Sequence, residues 1–493
     1  MIAHLPILQV ALPLLAAPLC VLLRSARAAW WIYLLASVAA FGSALLLASS
    51  VATHGPLHYA VGNWAPPFGI AYVIDAANAF VLVLVSGIAV ATAIYAPRSI
   101  AAEIDPQRVY LYYACLCLCL TGLLGIVATG DAFNVFVFLE ISSLSSYALI
   151  ALGKRRQALL AAFRYLVMGT LGGTFVLIGI GLAYAVTGTL NMADLAQRLP
   201  ALYGNRTLTA AVGFVSVGLA IKAAVFPLHA WLPSAYAEAP SAAGVFLSAT
   251  GTKVAIYAFL RFAFGIFGAG LVFGHLPMSA LILIVGTAAM LAGAAIACYQ
   301  DDLKRILAWS SVGQIGYIVV GLGLASQQGL SAAFLHISAH ALIKGGLFAT
   351  AGIVALRLGT TRIDALAGLA RSAPAVFVAL LLGGLGLIGV PLTAGFVSKW
   401  ALVMALIEAD QWAVIAAVLL SSLLALVYVG RIIEVAWFRE PPLLADTAQP
   451  STPAPMALAM WGLVGVSLVA GVYAAPLSRA ATAAAAALLG TAP

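Results

Sequence analysis

Long apolar runs dominate this chain and limit it to one kind of fold. A helix needs about 20 apolar residues to cross the hydrocarbon core of a bilayer, and 64% of the 493 residues are hydrophobic while 8% are charged. This composition excludes a soluble globular protein, and the runs lack the alternation of membrane barrel strands. We predict an all-α polytopic membrane protein with about fourteen transmembrane helices, at 4–23, 29–50, 72–96, 109–128, 132–152, 158–188, 207–226, 240–264, 277–298, 303–325, 329–357, 374–407, 411–438 and 456–475.

The basic residues of the loops predict the orientation of the chain. Alternate loops carry fourteen Lys and Arg residues on one side and four on the other, and basic loops stay on the cytoplasmic side. We therefore predict a protein of the bacterial cytoplasmic (inner) membrane with both termini on the outer side. The net charge of +8 is explained by loops that lie near anionic lipid headgroups, so it does not require a nucleic acid partner.

Two of the predicted helices contain a break, and the two breaks resemble each other. The segment 218–230 ends in Pro-Leu-His-Ala, and the segment 386–394 ends in Pro-Leu-Thr-Ala. Proline inside a helix removes a backbone hydrogen bond and kinks or splits the helix, and paired interruptions are typical of internal repeats. A coincidence of Pro and Leu in apolar sequence is the alternative. The proline-rich polar segment 441–455 is predicted to be an inner loop.

The candidate mid-membrane charges of the predicted spans are one acid and four lysines: Glu140, Lys222, Lys253, Lys344 and Lys399. Each charge at the bilayer centre costs about 3 kcal/mol on insertion scales, so its retention indicates compensation or function. Side chains that gain and lose protons, spread over separate helices, predict a hydrogen-bonded proton route through the bilayer. For Lys253 and Lys399 the alternative is a structural lysine that caps a broken helix or extends its amine to the interface.

Glu140 and Lys222 are expected to pair. Glu140 follows the apolar run 136–139, and Lys222 lies just before the first break. A buried acid and a buried base lower each other's cost when they meet. A static salt bridge is one reading. The other is a switch, in which the closed pair holds the lysine protonated and opening lets desolvation expel the proton.

Three residues recur at every fourth position of one predicted helix: His336, His340 and Lys344. They form a stripe on one helix face, and imidazoles pass protons near neutral pH, so a proton relay is predicted. Packed structural histidines are the alternative, and a zinc site is disfavoured because the acid of the metalloprotease pattern is missing. His229 and Glu238, near the first break, are predicted either to gate access to solvent or to be ordinary interfacial residues.

We expect no metal site and no cofactor. Cys115, Cys117 and Cys119 resemble a metal cluster, but successive members point about 200° apart on a helix and cannot converge on one ion. The glycines of 384–389 have the spacing of a dinucleotide fingerprint, yet they lie inside a membrane span and lack the strand that this fingerprint needs. There they are expected to permit close helix packing.

Taken together, these residues resemble the antiporter-like membrane subunits shared by respiratory complex I, membrane-bound hydrogenases and Mrp-type multisubunit sodium/proton antiporters. The resemblance rests on the Glu140 helix, on the segments 221–233, 239–241, 301–305 and 310–314, and on the Lys344 and Lys399 helices. It implies two inverted five-helix repeats, helices four to eight (109–264) and nine to thirteen (277–438), with 1–108 before them and helix fourteen (456–475) after them.

The resemblance also implies a role for each buried residue. Glu140 and Lys222 would be a switching pair, Lys253 a central relay and Lys399 the exit, with Lys344 and its histidines as the connection. The segment 62–70 that leads to Asp75 is similar to the start of the D-type subunit of the Mrp antiporters. Lysine at position 399 agrees with that D-type subunit and differs from the complex I type, which has glutamate there.

The leading hypothesis is therefore a transporter subunit and not an enzyme. It would move protons in exchange for Na⁺ or K⁺ within a hetero-oligomer of membrane subunits and would be inactive alone. The second hypothesis is a proton-pumping membrane subunit of a complex I-like or hydrogenase-like respiratory enzyme. A stand-alone permease for an organic solute is a third reading, which activity of the single purified chain would support.

Overall fold

The computed structural model describes residues 4–440 and 451–490, and these residues are almost entirely helical. Twelve of the described helices are long and apolar enough to cross a membrane, which confirms the prediction of an all-α polytopic membrane protein. In chain order the helices are α1 Leu5–Leu23, α2 Ala26–His54, α3 Ala76–Glu103, α4 Val109–Ala128, α5 Ala132–Ala151, α6 Arg156–Thr187, α7 Met192–Arg198, α8 Arg206–Lys222, α9 Leu232–Glu238, α10 Ser241–Leu260, α11 Met278–Cys298, α12 Leu303–Gly323, α13 Gln327–Leu358, α14 Leu369–Ser372, α15 Pro374–Ile388, α16 Ala394–Glu408, α17 Trp412–Phe438, α18 Ala454–Val472 and α19 Ala475–Leu489.

The two remaining predicted spans are the ones in which proline predicted a break. Span 207–226 is α8 and the start of an irregular segment that leads to α9, while span 374–407 is α15 and α16 with five residues between them. At the first break Ala224 has a left-handed φ of 54°, and at the second Gly389 has a φ of 88°. The count of fourteen spans and the two inverted repeats stay predictions.

The structure contains two features that the sequence analysis does not predict, one at the start of the third span and one in the alanine-rich tail. A short antiparallel hairpin, β1 Leu57–Ala60 and β2 Ala71–Ile74, occupies the segment before α3. The third helix therefore begins at Ala76 instead of residue 72, where Asp75 and Asn78 cap it reciprocally with two hydrogen bonds of 2.9 Å. The alanine-rich tail forms α19, which packs against α3 and α13. Most of the predicted inner loop, 441–450, lies outside the described residues.

The helix that carries Lys253 and its neighbour α12 are the most buried of the twelve candidate membrane-crossing helices. In the most apolar 18-residue window, 89% of the α10 positions and 94% of the α12 positions are buried, compared with 28% in α2. α13 packs against α3, α10, α12, α15, α16, α18 and α19. Lys253, His336, His340 and Lys344 therefore lie on helices that other helices surround, and α1 and α2 lie at the periphery.

Side-chain contacts define the two ends of the bundle. At the end that we call the basic face, Lys154 donates its backbone N–H to the Glu103 carbonyl (3.2 Å), and Arg305 contacts Glu238 (3.2 Å). At the opposite face, Arg261 at the end of α10 makes a two-bond ion pair with Asp75, at 2.8 and 3.0 Å. This pair joins α10 to the start of α3.

We expect the Arg261–Asp75 pair to be a major tether of the opposite face. The two side chains are 16% and 12% exposed, so Asp75→Asn, which keeps a capping oxygen but removes the charge, leaves a poorly solvated guanidinium without its partner. Removing one partner of a buried pair costs about 3 kcal/mol. Thermal unfolding of the purified protein in detergent should shift to lower temperature.

The matched control for this prediction is Asp364→Asn. Asp364 pairs with Arg362, but both side chains are 63% exposed, and pairs in contact with solvent contribute little. An equal shift for the two variants would contradict the prediction.

Candidate proton-transfer site

The Lys222 and Glu140 side chains meet, as the sequence predicts. The Lys222 Nζ lies 3.0 Å from Glu140 Oε1 and donates a second hydrogen bond to the Ser143 hydroxyl at 2.7 Å. Lys222 is also the last residue of α8, so its ammonium lies near the negative end of the helix dipole. Its side chain is 4% exposed and that of Glu140 is 25% exposed. The lysine therefore has one opposite charge and one hydroxyl in place of water.

A small polar cavity separates Lys222 from α10. Its volume is about 20 Å³, and Lys222, Ser142, Ser143, Ser146 and Gly251 are among its lining residues. A cavity of at least about 10–15 Å³ with several polar partners holds one water molecule. This space thus has the size and the hydroxyl groups to hold a water molecule that connects the Glu140–Lys222 pair to α10, the helix of Lys253.

Lys253 is fully buried, and its ammonium is the least compensated of the four. Its Nζ donates a hydrogen bond to the carbonyl oxygen of Ser248 on its own helix. Among the described residues no carboxylate forms a salt bridge with it. Its amine lies close enough to His336, His340 and Lys344 on α13 for their charges to interact. We call the row of His336, His340 and Lys344 the α13 stripe. Lys253 is the residue of α10 that faces it.

The α13 stripe forms a row of three buried groups. The rings of His336 and His340 are 6.3 Å apart, and Lys344 donates to the Leu307 carbonyl at 2.7 Å and to the Ser310 hydroxyl. Neither ring nitrogen of His340 has a hydrogen-bond partner among the described residues. The two nitrogens of this buried imidazole are therefore available, one to donate and one to accept a hydrogen bond with a molecule from outside the protein.

His336 connects the stripe to the second break. Its Nδ1 lies 2.9 Å from the Ser398 hydroxyl, and its Nε2 lies 2.9 Å from Gln314 Oε1. Because an amide oxygen only accepts hydrogen bonds, Nε2 carries the hydrogen in this arrangement. Nδ1 is then an acceptor that faces α16, one residue before Lys399.

Lys399 occupies the second break. Its Nζ donates to the carbonyls of Leu387 and Ile388 at 2.9 and 3.0 Å and to the Ser422 hydroxyl at 3.0 Å. It also lies 4.6 Å from the centre of the Tyr317 ring. The last carbonyls of α15 have no partner within their helix, so the lysine satisfies them. The capping role weighed as an alternative for this lysine fits this geometry, as does a terminal exchange point.

The two possible gating residues lie in different surroundings. The ring of His229 stacks on Phe226, with ring centres 5.0 Å apart, and lies edge-on to Trp309 at 5.3 Å. Glu238 lies at the basic face between Arg155, at 3.6 Å, and Arg305. Their gating role stays a prediction.

The sequence reasoning assigned no role to the polar groups that contact the buried lysines and histidines. They are mainly hydroxyls and one amide at mid-helix positions: Ser143, Ser310, Gln314, Tyr317, Ser398 and Ser422. Serine is common in membrane helices because its hydroxyl bonds to the preceding turn. The sequence signal that could have identified these partners is their position next to a buried charge: Ser143 lies three residues after Glu140, and Ser398 directly precedes Lys399.

A bundle of membrane-crossing helices that buries four lysines at mid-span, pairs one of them with a glutamate and places two buried histidines on one face of α13 defines an ion-translocating membrane protein. Residues 129–425 match the family model described as NADH:quinone oxidoreductase/Mrp antiporter, transmembrane. The chain belongs to this family, whose members include proton-translocating, antiporter-like subunits of larger membrane complexes. The superfamily prediction is thereby confirmed.

Relatives from both branches of the family match nearly the whole chain. The N subunit of the NADH-quinone oxidoreductase of Desulforudis audaxviator is 42% identical over 92% of this chain and 90% of its own length. The D-type subunit of the Na⁺/H⁺ antiporter of Alkalihalophilus pseudofirmus is 32% identical over 88% of this chain and 86% of its own length. The comparison thus supports an ion-transporting subunit and leaves the choice of branch open.

Two solved structures share the fold. The Mrp complex from a Dietzia species contains a chain with a TM-score of 0.89 and 28% identity, which covers 99% of this chain and 97% of its own length. The archaeal membrane-bound sulfane sulfur reductase contains one with a TM-score of 0.90 and 30% identity, with coverage of 99% and 98%. Both are assemblies of several membrane subunits, consistent with other membrane subunits as partners here.

We expect Gly173→Ala to disturb the Glu140–Lys222 pair without removing either charge. A Cβ at position 173 would lie 2.0 Å from Glu140 Oε1 and 3.5 Å from Lys222 Nζ. The flexible carboxylate must therefore move, which lengthens the ion pair and leaves the helix packing in place. Proton transport by the purified complex in liposomes should fall severalfold while assembly and thermal stability stay close to those of the parent protein.

Gly181→Ala is the control on the same helix. A Cβ there meets nothing within 4 Å, and alanine favours helix more than glycine does. Equal transport by the two variants would argue against any role for the pair geometry.

Proposed function

We propose that this chain is the proton-translocating subunit of a multisubunit monovalent cation/proton antiporter. Protons move along the buried axis, defined as Glu140, Lys222, Lys253, His336, His340, Lys344 and Lys399, in exchange for Na⁺ or K⁺. The observation that carries the proposal is the fully buried Lys253 on α10, a helix that packs against α13; this lysine forms no salt bridge in the described chain. An amine that costs this much in the membrane and stabilises so little is retained for function.

The Glu140–Lys222 pair is the switch in this proposal. Closed at 3.0 Å, it keeps the proton on the lysine; once opened, the ammonium is left in an apolar setting that favours release. One elementary charge that crosses 100 mV exchanges about 2.3 kcal/mol, which is comparable to the cost of opening such a pair. The membrane potential is therefore large enough to drive the switch.

The exposure of Glu140 supports a hetero-oligomer. A quarter of its side chain is not covered by this chain, although α5 is a membrane span. A carboxylate that faced lipid hydrocarbon there would have no polar neighbour on that side. A neighbouring subunit that supplies a polar group would remove this cost, which makes Glu140 a point where the state of one subunit is passed to the next.

The second candidate is a proton-pumping membrane subunit of a complex I-like or hydrogenase-like enzyme. It is favoured by the 42% identical relative named as an N subunit and by the likeness to a chain of the sulfane sulfur reductase. The same buried axis would then be driven by a redox reaction elsewhere in the complex.

Two measurements separate the candidates. The complex is purified in mild detergent, its subunits are identified, and proton movement in liposomes is recorded with and without Na⁺ or K⁺. Cation-dependent proton movement without redox subunits supports the antiporter. Copurified iron–sulfur or flavin subunits, with proton movement that needs an electron donor, support the second candidate and contradict the first.

We expect Lys253→Met to abolish proton transport and at the same time to stabilise the protein. Methionine fills a similar volume without a charge, and a lysine at the bilayer centre costs about 3 kcal/mol. The thermal midpoint should rise while cation-driven proton movement falls to the level of empty liposomes. Ile256→Met, a buried change on the same helix, should keep transport. Normal transport by Lys253→Met would remove the central step of the proposal.

A further inference from the structure

A water-accessible cavity of about 300 Å³ opens at the basic face, where α3, α10, α12 and α13 meet. Its lining includes both Glu103 and Glu238 as well as Lys154, Arg155 and Lys304. Arg155 is 60% exposed at the rim, whereas Lys304 is 4% exposed. The cavity therefore extends from solvent to buried charges, and we call it the vestibule.

Glu103 is the carboxylate of the vestibule that accepts hydrogen bonds from both α3 and the start of α10. One oxygen accepts from the Ser241 hydroxyl at 2.8 Å, and the other accepts from the Ser241 backbone N–H at 2.6 Å and from the Ser99 hydroxyl at 3.0 Å. Lys304 reaches the same Ser241 hydroxyl at 3.1 Å. An acid, a hydroxyl and an ammonium thus form one connected group next to solvent.

A polar stripe leads inward from this group. Tyr95, Ser99 and Glu103 recur every fourth residue of α3, so they share one helix face. The fully buried Tyr95 hydroxyl donates to the Ala349 carbonyl of α13 at 3.1 Å. Gly352 leaves room for this meeting, since a Cβ there would lie 2.1 Å from the Tyr95 hydroxyl and 2.6 Å from the Ser241 Cβ. The stripe thus reaches α13 five residues from Lys344, about 7.5 Å along the helix axis.

We propose that Glu103 is the proton-exchange carboxylate of the basic face, and that the vestibule with the Tyr95–Ser99–Glu103 stripe connects bulk water to the Lys344 end of the buried axis. A Glu103 carboxylate oxygen takes a proton from the water of the vestibule. The resulting acid passes a proton to the Ser99 hydroxyl, which releases its own proton to the next acceptor along the stripe, so that each group gives up one proton as it takes one. The charged and titratable groups near Glu103 are Lys304, which shares the Ser241 hydroxyl with it, Lys154, Arg155 and Glu238, which line the same cavity, and Tyr95 and Tyr112. This inference rests on the proposed function.

Helix α3 lies outside both predicted five-helix repeats. A symmetric pair of repeats would by itself supply matching access routes to its two halves. An exchange carboxylate on α3 adds a route at the boundary between the two halves, because Glu103 contacts α10 of the first half and Tyr95 contacts α13 of the second. Access along the stripe is therefore expected to reach the buried axis on α13, near Lys344.

Glu103→Gln in the purified complex tests the proposal. Glutamine keeps one oxygen for the α10 N-terminus but cannot carry a proton, so assembly should be normal while cation-driven proton transport in liposomes falls about tenfold or more. Glu103→Asp keeps the acid and should restore part of the rate. Glu408→Gln, the same change at an exposed residue of the opposite face, should behave as the parent.

The result that overturns the proposal is Glu103→Gln at parental rate in a complex where Lys253→Met is inactive; the proposed function would then stand. Parental transport rates for both Glu103→Gln and Lys253→Met would contradict the proposed function and this inference together. If Glu103→Gln does not assemble, Tyr95→Phe decides, since it removes one hydroxyl only. An assembled Tyr95→Phe complex with slowed transport supports the stripe, and one at parental rate overturns it.

Discussion

The burial of amines in a low-dielectric interior is the constraint on which the rest of this structure depends. The four lysines of the buried axis replace their lost contacts with water in four different ways. Lys222 has a carboxylate, Lys399 has the free carbonyls of a broken helix, and Lys344 has a carbonyl and a hydroxyl on α12. Lys253 has one carbonyl of its own helix. Compensation is thus strongest at the two ends of the axis and weakest in the middle.

At the second break of this fold, the helix end and the lysine supply the hydrogen-bond partners that the other lacks. A break inside the membrane leaves carbonyl groups without partners, which is costly where no water is present. A lysine inside the membrane needs acceptors for three N–H groups. The end of α15 and Lys399 satisfy both needs, with hydrogen bonds of 2.9 and 3.0 Å. This accounts for the lysine beside the second proline-marked break; at the first break, Trp231 Nε1 donates to the Ile221 carbonyl (2.8 Å) and Lys222 pairs with Glu140 instead.

Most of the helices could be predicted because the length of an apolar run is a local property. The Glu140–Lys222 contact was also predictable, since Glu140 is an acid in the middle of an apolar run and Lys222 is a lysine beside the first break. The β1–β2 hairpin and α19 were missed because one depends on pairing across the intervening loop and the other is an alanine-rich helix of 15 residues, shorter than a span. The hydroxyl partners were missed because serine at mid-helix carries no signal of its own.

The long-range contacts were beyond sequence reasoning for a different reason. Arg261 and Asp75 are separated by 186 positions, and Ser241 and Glu103 by 138. Each residue alone fits an interfacial loop, and only the packing of α3 against α10 brings the partners together. Helix α3 is therefore more than a scaffold for the repeats, because it contributes an ion pair at one face and a carboxylate at the other.

The buried axis alone does not determine what drives it. Glu140, with a quarter of its side chain uncovered, lies at one end, and Lys399, bound to the second break, lies at the other. A charge that arrives next to Glu140 weakens or strengthens its hold on Lys222 whether that charge comes from a cation or from a redox-linked rearrangement. Under the proposed function, this is a physical reason why one family includes both antiporters and respiratory enzymes: the proposed proton path lies within the chain, and the energy source is a property of its neighbours.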